Sequence, residues 1–280
     1  MKNKNTAQAE YLPVNKIHPF EGHPFKVLDN EEMDQLVFSI LTRGMLTPMV
    51  VRPMENGEYE VISGHRRLYA CQKAGIETVP ALIYTLDRDE AAIALVDSNL
   101  HREHILPSEK AFAYKMKLEA LNHQGTSGQL GQKWTRDEIA ETGTDSSRQI
   151  QRYIRLTNLE PELLKMVDEN KIALTPAVEL SYLKPDEQKY LLETMSSEDC
   201  TPSLSQAVNM KKLSQGDMLS TELIDHIMGE PKANQKEKIS FKMEDIRKFF
   251  PRSYDAMKIQ ETILKLLNEY QKRRQNELSR

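Results

Sequence analysis

The chain has 280 residues, with 38 Lys and Arg against 42 Asp and Glu, a formal net charge of −4 and 39% hydrophobic content. That length points to two or three modules rather than one core. The mildly acidic balance excludes a chain coated in basic residues, so any contact with nucleic acid has to come from a locally basic segment. No run approaches the ~18 apolar residues of a membrane helix, and the opening MKNKNTAQAE lacks the apolar stretch of a secretory signal. Cys71 and Cys200 are far apart, with no CxxC partner. They fit free thiols in a reducing cytoplasm.

In chain order, residues 1–16 are polar and read as a flexible tail. Asp29, with Glu32 three residues on, predicts a helix start. Met33, Leu36, Val37 and Ile40 then mark one apolar face, and Gly44 is placed to end the helix. Met49 to Val51 and Tyr59 to Ile62 read as paired strands, because Asn56-Gly57 between them is a strong hairpin signal. Ser63-Gly64 breaks the second strand. A helix follows from about His65 to Lys73, ending at Gly75, and residues 79–84 give a third strand. Residues 17–105 are therefore expected to form an α+β domain.

From residue 89 the strand signals stop. Helices are predicted at 89–99, 107–122, 135–142, 146–157, 161–170 and 176–193, with Pro107, Pro161, Pro176 and Pro185 as first-turn prolines. These give an all-α domain over 106–195, interrupted by a polar, Gly-rich connection at 122–133. Residues 196–240 read as a linker region, clearest at 229–238, and 241–280 as a short C-terminal helical module. In that module Ile259, Ile263, Leu266, Leu267 and Tyr270 share one helical face. A second copy of the chain is the natural cover for it. The alternative is a fold-back onto Phe249 and Phe250.

The segment WTRDEIAETGTDSSRQIQRYIRLTNL predicts a helix-turn-helix. Thr135 and Glu138 form a capping box, Trp134 and Ile139 a hydrophobic staple, and Gly143 the turn. Asp145 or Ser146 caps the second helix. Arg148, Arg152 and Arg155 share a face of that helix, and no acidic residue lies between Ser146 and Asn158. Ile150, Tyr153 and Ile154 point toward the first helix. Ser146, Ser147, Arg148, Gln149, Gln151, Arg152 and Arg155 are the candidate DNA contacts. The plainer alternative is a helical hairpin with a solvated arginine face.

The segment YEVISGHRRLYACQKAG is a strand, a glycine turn and a helix start. Free backbone N–H groups at such a start favour anions, and Arg66 and Arg67 add cationic forks suited to phosphate. Gly64 lets a phosphate approach the backbone. The residues say polyphosphate without naming a nucleotide. The alternative is that the arginines pair with neighbouring acids.

Three blocks in order resemble the ParB N-terminal domain: IHPFEGHPFKVLDNEEMDQLVFSILTRGMLTPMVVRP, VISGHRRLYACQKAGIETVPALI and SNLHREHILPSEKAFAY. With the helices through about residue 195 the likeness covers roughly residues 11–195. The resemblance implies a ParB/sulfiredoxin-like domain followed by a helix-turn-helix domain. It also implies CTP bound at Ser63, Gly64, His65, Arg66 and Arg67, Mg²⁺ held with the help of Asn99, and Arg102 and Glu103 completing the pocket. It further implies a cytoplasmic, nucleoid-associated homodimer that binds a palindromic, centromere-like duplex site. Such a dimer serves plasmid or chromosome segregation as a CTP-switched clamp, alongside a ParA-type ATPase.

This sequence departs from the family boxes at His65, Ser98, His101 and the tripeptide His23-Pro24-Phe25. Loss of a carboxylate beside Asn99 weakens a hard-cation site, so nucleotide binding is expected to be more secure than a weak CTPase activity, and no catalytic residue is assigned. His101 and His104 form an HxxH, read as polar replacements around an anion rather than as a metal site. The alternative functions are a ParB-related transcriptional regulator or nucleoid-associated protein, and a phosphotransferase or nuclease on the same fold. A nuclease would want clustered carboxylates, which the pocket segments lack.

Overall fold

A computed structural model describes residues 8–102, 104–123, 139–140, 145–230, 246–251 and 253–278. The chain divides into two units, Met1–Glu230 and Pro231–Arg280.

The first unit opens with a five-stranded mixed sheet: β1 (Gln8–Pro13), β2 (Ile17–Pro19), β3 (Met49–Pro53), β4 (Tyr59–Ser63) and β5 (Thr78–Ile83), in the order β1-β5-β3-β4-β2. β3 and β4 are the expected antiparallel hairpin, with Gly57 at φ 79° and its N–H bonded to Met54 O at 3.1 Å. The pairings of β4 with β2 and of β3 with β5 are parallel. Alternation along the central strands feeds two cores. Met49, Val51 and Val61 pack with Met33 and Ile40 of α1 (Glu31–Arg43) and Leu68 and Cys71 of α2 (His65–Lys73). Val50 and Ile62 pack with Ala91, Leu95 and Val96 of α3 (Arg88–Leu100) and Ala113 and Ala120 of α4 (Pro107–His123).

Two expectations for this region are corrected. Residues 8–16 are not a tail: β1 pairs along its whole length with β5, and Leu12 and Val14 are buried. The α1 cap is Asn30, whose side chain accepts from Met33 N at 3.2 Å. Asp29 instead accepts from Lys73 Nζ at 2.6 Å and Tyr69 Oη at 3.2 Å. Gly44 ends α1 as expected, at φ 70°.

The helices after α4 are α5 (Ser147–Arg155), α6 (Pro161–Asp168), α7 (Leu174–Leu180), α8 (Pro185–Ser197), α9 (Leu204–Gln215) and α10 (Thr221–Gly229). The single helix expected at 176–193 is two, because Pro185 opens a new helix. The linker expected at 196–240 is folded over 204–229. Ser203 and Gln206 form a reciprocal capping box for α9, and Ala207, Met210, Ile224 and Ile227 enter the same core as Leu163 and Leu180. The rest of that linker, 231–240, lies outside the described residues, as do Trp134, Thr135, Glu138 and Gly143 of the first predicted helix and turn.

The second unit contributes α11 (Ala256–Leu278). On it Leu264, Leu266, Leu267 and Tyr270 are exposed and Ile259 is buried. No helix among the described residues is long and apolar enough to cross a membrane.

Between β3 and β4, Arg52 and Glu60 are register partners, and the Glu60 carboxylate accepts from Arg52 Nε and Nη2 at 2.7 Å each and from Glu21 N at 3.0 Å. Removing one member of a buried pair strands the other charge. Glu60→Ala is therefore expected to cost about 3–5 kcal/mol, read as a lowered denaturant midpoint. Exchange of both residues for apolar ones of similar size should cost far less.

Candidate functional sites

The first site forms where β4 gives way to α2. A register shift at Val50/Val51 leaves Ile62 as an extra residue and bends the strand just before Ser63. Gly64 then adopts φ 116°, ψ 22°, and a Cβ there would lie 3.0 Å from Met49 Cγ and 3.1 Å from Arg67 Nη2. The first N–H groups of α2 follow that turn, with no side-chain cap bound to them.

The two arginines part company there. Arg66 is exposed and meets Glu32 Oε2 at 3.2 Å, an ion pair that solvent weakens and an anion can displace. Arg67 folds back under the turn and donates to the carbonyls of Thr47 and Pro48. Burial holds its guanidinium below the usual arginine range. Arg102 joins the cluster from beyond α3, 5.4 Å over the Phe25 ring. Burial, with Arg66 nearby, pulls its affinity for protons down. Asn99 is buried one turn before it, but its amide donates to Leu95 O at 2.7 Å and Ser98 Oγ at 3.2 Å. Glu103 lies outside the described residues.

The sequence reading missed how His65 and His23 meet. Their rings stack with centroids 3.6 Å apart and planes 27° from parallel, and His65 Nε2 accepts the N–H of Phe20 at 3.3 Å. Burial drives both imidazoles toward the neutral form, His65 to about 3 and His23 to about 4. The only advance signal was that both positions depart from the family boxes.

As for a metal, no group of three or more His, Cys, Asp or Glu among the described residues is placed to hold one. Asn99 alone is a poor site for a hard cation, which needs several oxygens with charge. The described residues therefore fit a phosphate-bearing ligand and do not fit a protein-held Mg²⁺.

The second site is α5. Ser146, not Asp145, is its cap, accepting from Gln149 N at 3.3 Å. Asp145 ties the helix start to α4 instead, accepting from Lys110 Nζ at 3.0 Å and Tyr114 Oη at 2.7 Å. Ile150 is fully buried with Tyr114 and Ile139, and Tyr153 and Ile154 pack on the same cluster, as expected. Arg148 and Gln151 are exposed, with no hydrogen-bond or ion-pair partner among the described residues. Ser147 is half-buried. Arg152 is half-buried, donating to Gln149 Oε1 at 3.3 Å and Thr175 Oγ1 at 2.7 Å. Arg155 does not belong with them. It donates to Ser181 O at 2.9 Å, and its guanidinium lies 3.9 Å from the centre of the Tyr182 ring. Seven residues on, it lies on nearly the same side as Arg148 but roughly 10 Å further along the helix axis, where it meets the turn that follows α7.

The α+β domain and the helical domain that follows it are each matched by a family model. The ParB N-terminal domain matches residues 1–100 and the ParB HTH domain residues 105–212. The chromosome-partitioning protein Spo0J of Thermus thermophilus is 32% identical over 231 residues, 80% of this chain and 81% of that one. The chain belongs to the ParB family. A nucleoid occlusion protein of a Geobacillus species is 32% identical over 193 residues, 69% of this chain but 64% of that protein. The ParB of Caulobacter crescentus, solved as a complex with the centromeric parS site, aligns over 78% of this chain and 98% of its own, at 21% identity and a TM-score of 0.43.

The stacked histidines have a pH consequence. Their folded pKa values lie below the ordinary histidine value of 6.5, so below that pH the unfolded chain binds more protons than the folded one. Their contribution to stability is complete above about pH 6.5 and shrinks as pH falls toward 4 and 3. Thermal unfolding should show a lower Tm at about pH 5 than at about pH 7, with a smaller drop in His65→Gln.

Proposed function

We propose that this protein is a sequence-specific DNA-binding partition protein that grips a centromere-like palindromic site and works as a nucleotide-switched clamp in plasmid or chromosome segregation. The observation that carries this reading is the division of α5. Ile150 anchors one side in the core, while Arg148 and Gln151 stand free on the other, on a stretch without an acid from Ser146 to Asn158. That is the posture of a recognition helix in a major groove. Ser146, Ser147, Arg148, Gln149, Gln151 and Arg152 form the proposed contact surface, and Arg155 serves the scaffold.

The nucleotide reading is supported by the first turn of α2 with Arg66 and Arg102 beside it. By family resemblance the nucleotide is CTP, a Mg²⁺ would arrive with its phosphates, and hydrolysis is weak or absent. The exposed Leu264, Leu266, Leu267 and Tyr270 support pairing of two copies through α11, which would match a two-fold DNA site. A ParA-type ATPase is the proposed protein partner. We place the domains at 8–105, 106–230 and a C-terminal pairing module, in the cytoplasm on the nucleoid. A second reading, a nucleoid-associated regulator, is favoured by the names of several relatives. Genome-wide mapping separates the two: a cluster of sites near a parA-like gene supports partition, and dispersed or promoter sites support the second.

On the mapped site, Arg148→Ala should weaken binding by about 1–3 kcal/mol in fluorescence anisotropy, with thermal stability unchanged. Native affinity should fall steeply with added salt. Arg155→Ala should instead lower Tm. Unchanged DNA affinity in Arg148→Ala would remove α5 as the reader.

Nucleotide binding is to be compared for CTP, ATP and GTP, with and without that DNA. CTP should bind best, and Arg66→Ala should weaken it at least about tenfold, the loss of one charge-assisted contact. A preference for ATP would overturn the cofactor assignment.

A further inference from the structure

His65 occupies the first position of α2, where free N–H groups and the helix dipole oppose positive charge. Because its Nε2 accepts the Phe20 N–H, the neutral ring carries its proton on Nδ1. His23 covers one face of that ring and sits edge-to-face with Phe25, ring centres 5.7 Å apart, the ring over which Arg102 lies. The charged neighbours sort by sign. Arg66 and Arg102 are cationic and close enough to influence one another. Each acid around them is already occupied. Glu109 accepts from Lys26 N at 2.8 Å and Leu106 N at 3.1 Å. Glu60 is taken by Arg52 and Glu21 N, and Glu21 pairs with Arg88 at 2.7 Å. Glu109 keeps its charge but acts on Arg102, and among the described residues no carboxylate is paired with either imidazole. Their charged form lacks a counter-ion that only a ligand can bring.

We propose that the stacked His23–His65 pair is a proton-linked anion-recognition element, so that a polyphosphate bound at the first turn of α2 is taken up together with a proton. This rests on the nucleotide site proposed above and adds to it His23 and a pH dependence. The proton comes from solvent and settles on His23, because the nitrogens of His65 are already committed, Nδ1 to its own proton and Nε2 to the Phe20 N–H, and two charged rings 3.6 Å apart would repel. The neutral partner then stacks on the charged ring, and the anion supplies the balancing charge. The burial that keeps both rings neutral in the free protein is what leaves a proton to be gained on binding. A carboxylate at position 65, as in the family box, would offer an anion no such donor.

The test is isothermal titration calorimetry of the full chain with CTP, and with inorganic triphosphate as a base-free probe. Titrations run between about pH 6 and pH 8 in two buffers of different ionisation enthalpy. The terminal phosphate itself titrates near pH 6, so the readout is the difference between the native chain and each substituted one. The native chain should take up more protons per ligand than His65→Gln, approaching one at the acidic end. On acidification its affinity should rise by up to about tenfold more per pH unit than that of His65→Gln. His23→Phe, which keeps a stacked ring that cannot be protonated, should show reduced uptake with its fold retained by circular dichroism. Equal uptake and equal pH dependence in the native chain and in His23→Phe would overturn the proposal and leave the nucleotide site standing. Failure of the native chain to bind either probe at any pH would overturn both.

Discussion

The left-handed turn at Gly64 is the constraint on which the first site depends. A bulge at Ile62 bends β4, the next residue ends the ladder, and Gly64 reverses the backbone at a φ that side chains rarely adopt. Space presses the same way, since a Cβ there would crowd Met49 and Arg67. The direction of α2 follows from this turn. So does the division of labour between Arg66, which faces solvent, and Arg67, which closes the turn from beneath. A phosphate would meet a pre-aimed row of N–H donors rather than a loop that must first be ordered, and binding energy is not spent on that ordering.

Much of this was legible in the sequence because it is written in local rules. The Asn56-Gly57 hairpin, the helix starting at His65, the glycine stop at Gly44 and the proline-led helices all follow from neighbours a few residues apart. What escaped had a non-local cause. β2 is three residues long, too short for any periodicity, and exists because β4 offers a parallel edge. β1 is a polar edge strand whose register comes from β5, some 70 residues on. Asp29 is as good a cap as Asn30 by type, but Lys73 and Tyr69 on α2 claim it.

The candidate sites show the same boundary. Helical spacing correctly put Ile150, Tyr153 and Ile154 on the inner side of α5. It grouped Arg155 with Arg148 because seven residues is nearly two turns, yet only the fold reveals Tyr182 and the Ser181 carbonyl waiting for that guanidinium. Arg155 thus spends its charge inside the protein, and the outward field of α5 comes from fewer residues than a count of arginines suggests. In a chain with net charge −4 that local field has to be concentrated to matter. The stacking of His23 on His65 was invisible because 42 residues separate them and neither belongs to a recognised spacing.

Helix α4 opens the second domain but packs into the first as well. Ala113 and Ala120 fill the core beneath the sheet, Ala111 enters the core of the helices that follow, and Tyr114 helps seat α5. Its first turn is held from both sides, by Asp168 through Ser108 and by Lys26 N through Glu109. A gene fragment stopped at residue 105 would therefore strip one wall from the α+β core and leave alanine-lined apolar surface facing water. The two halves share a beam, and neither can be dissected cleanly by cutting where their sequence families meet.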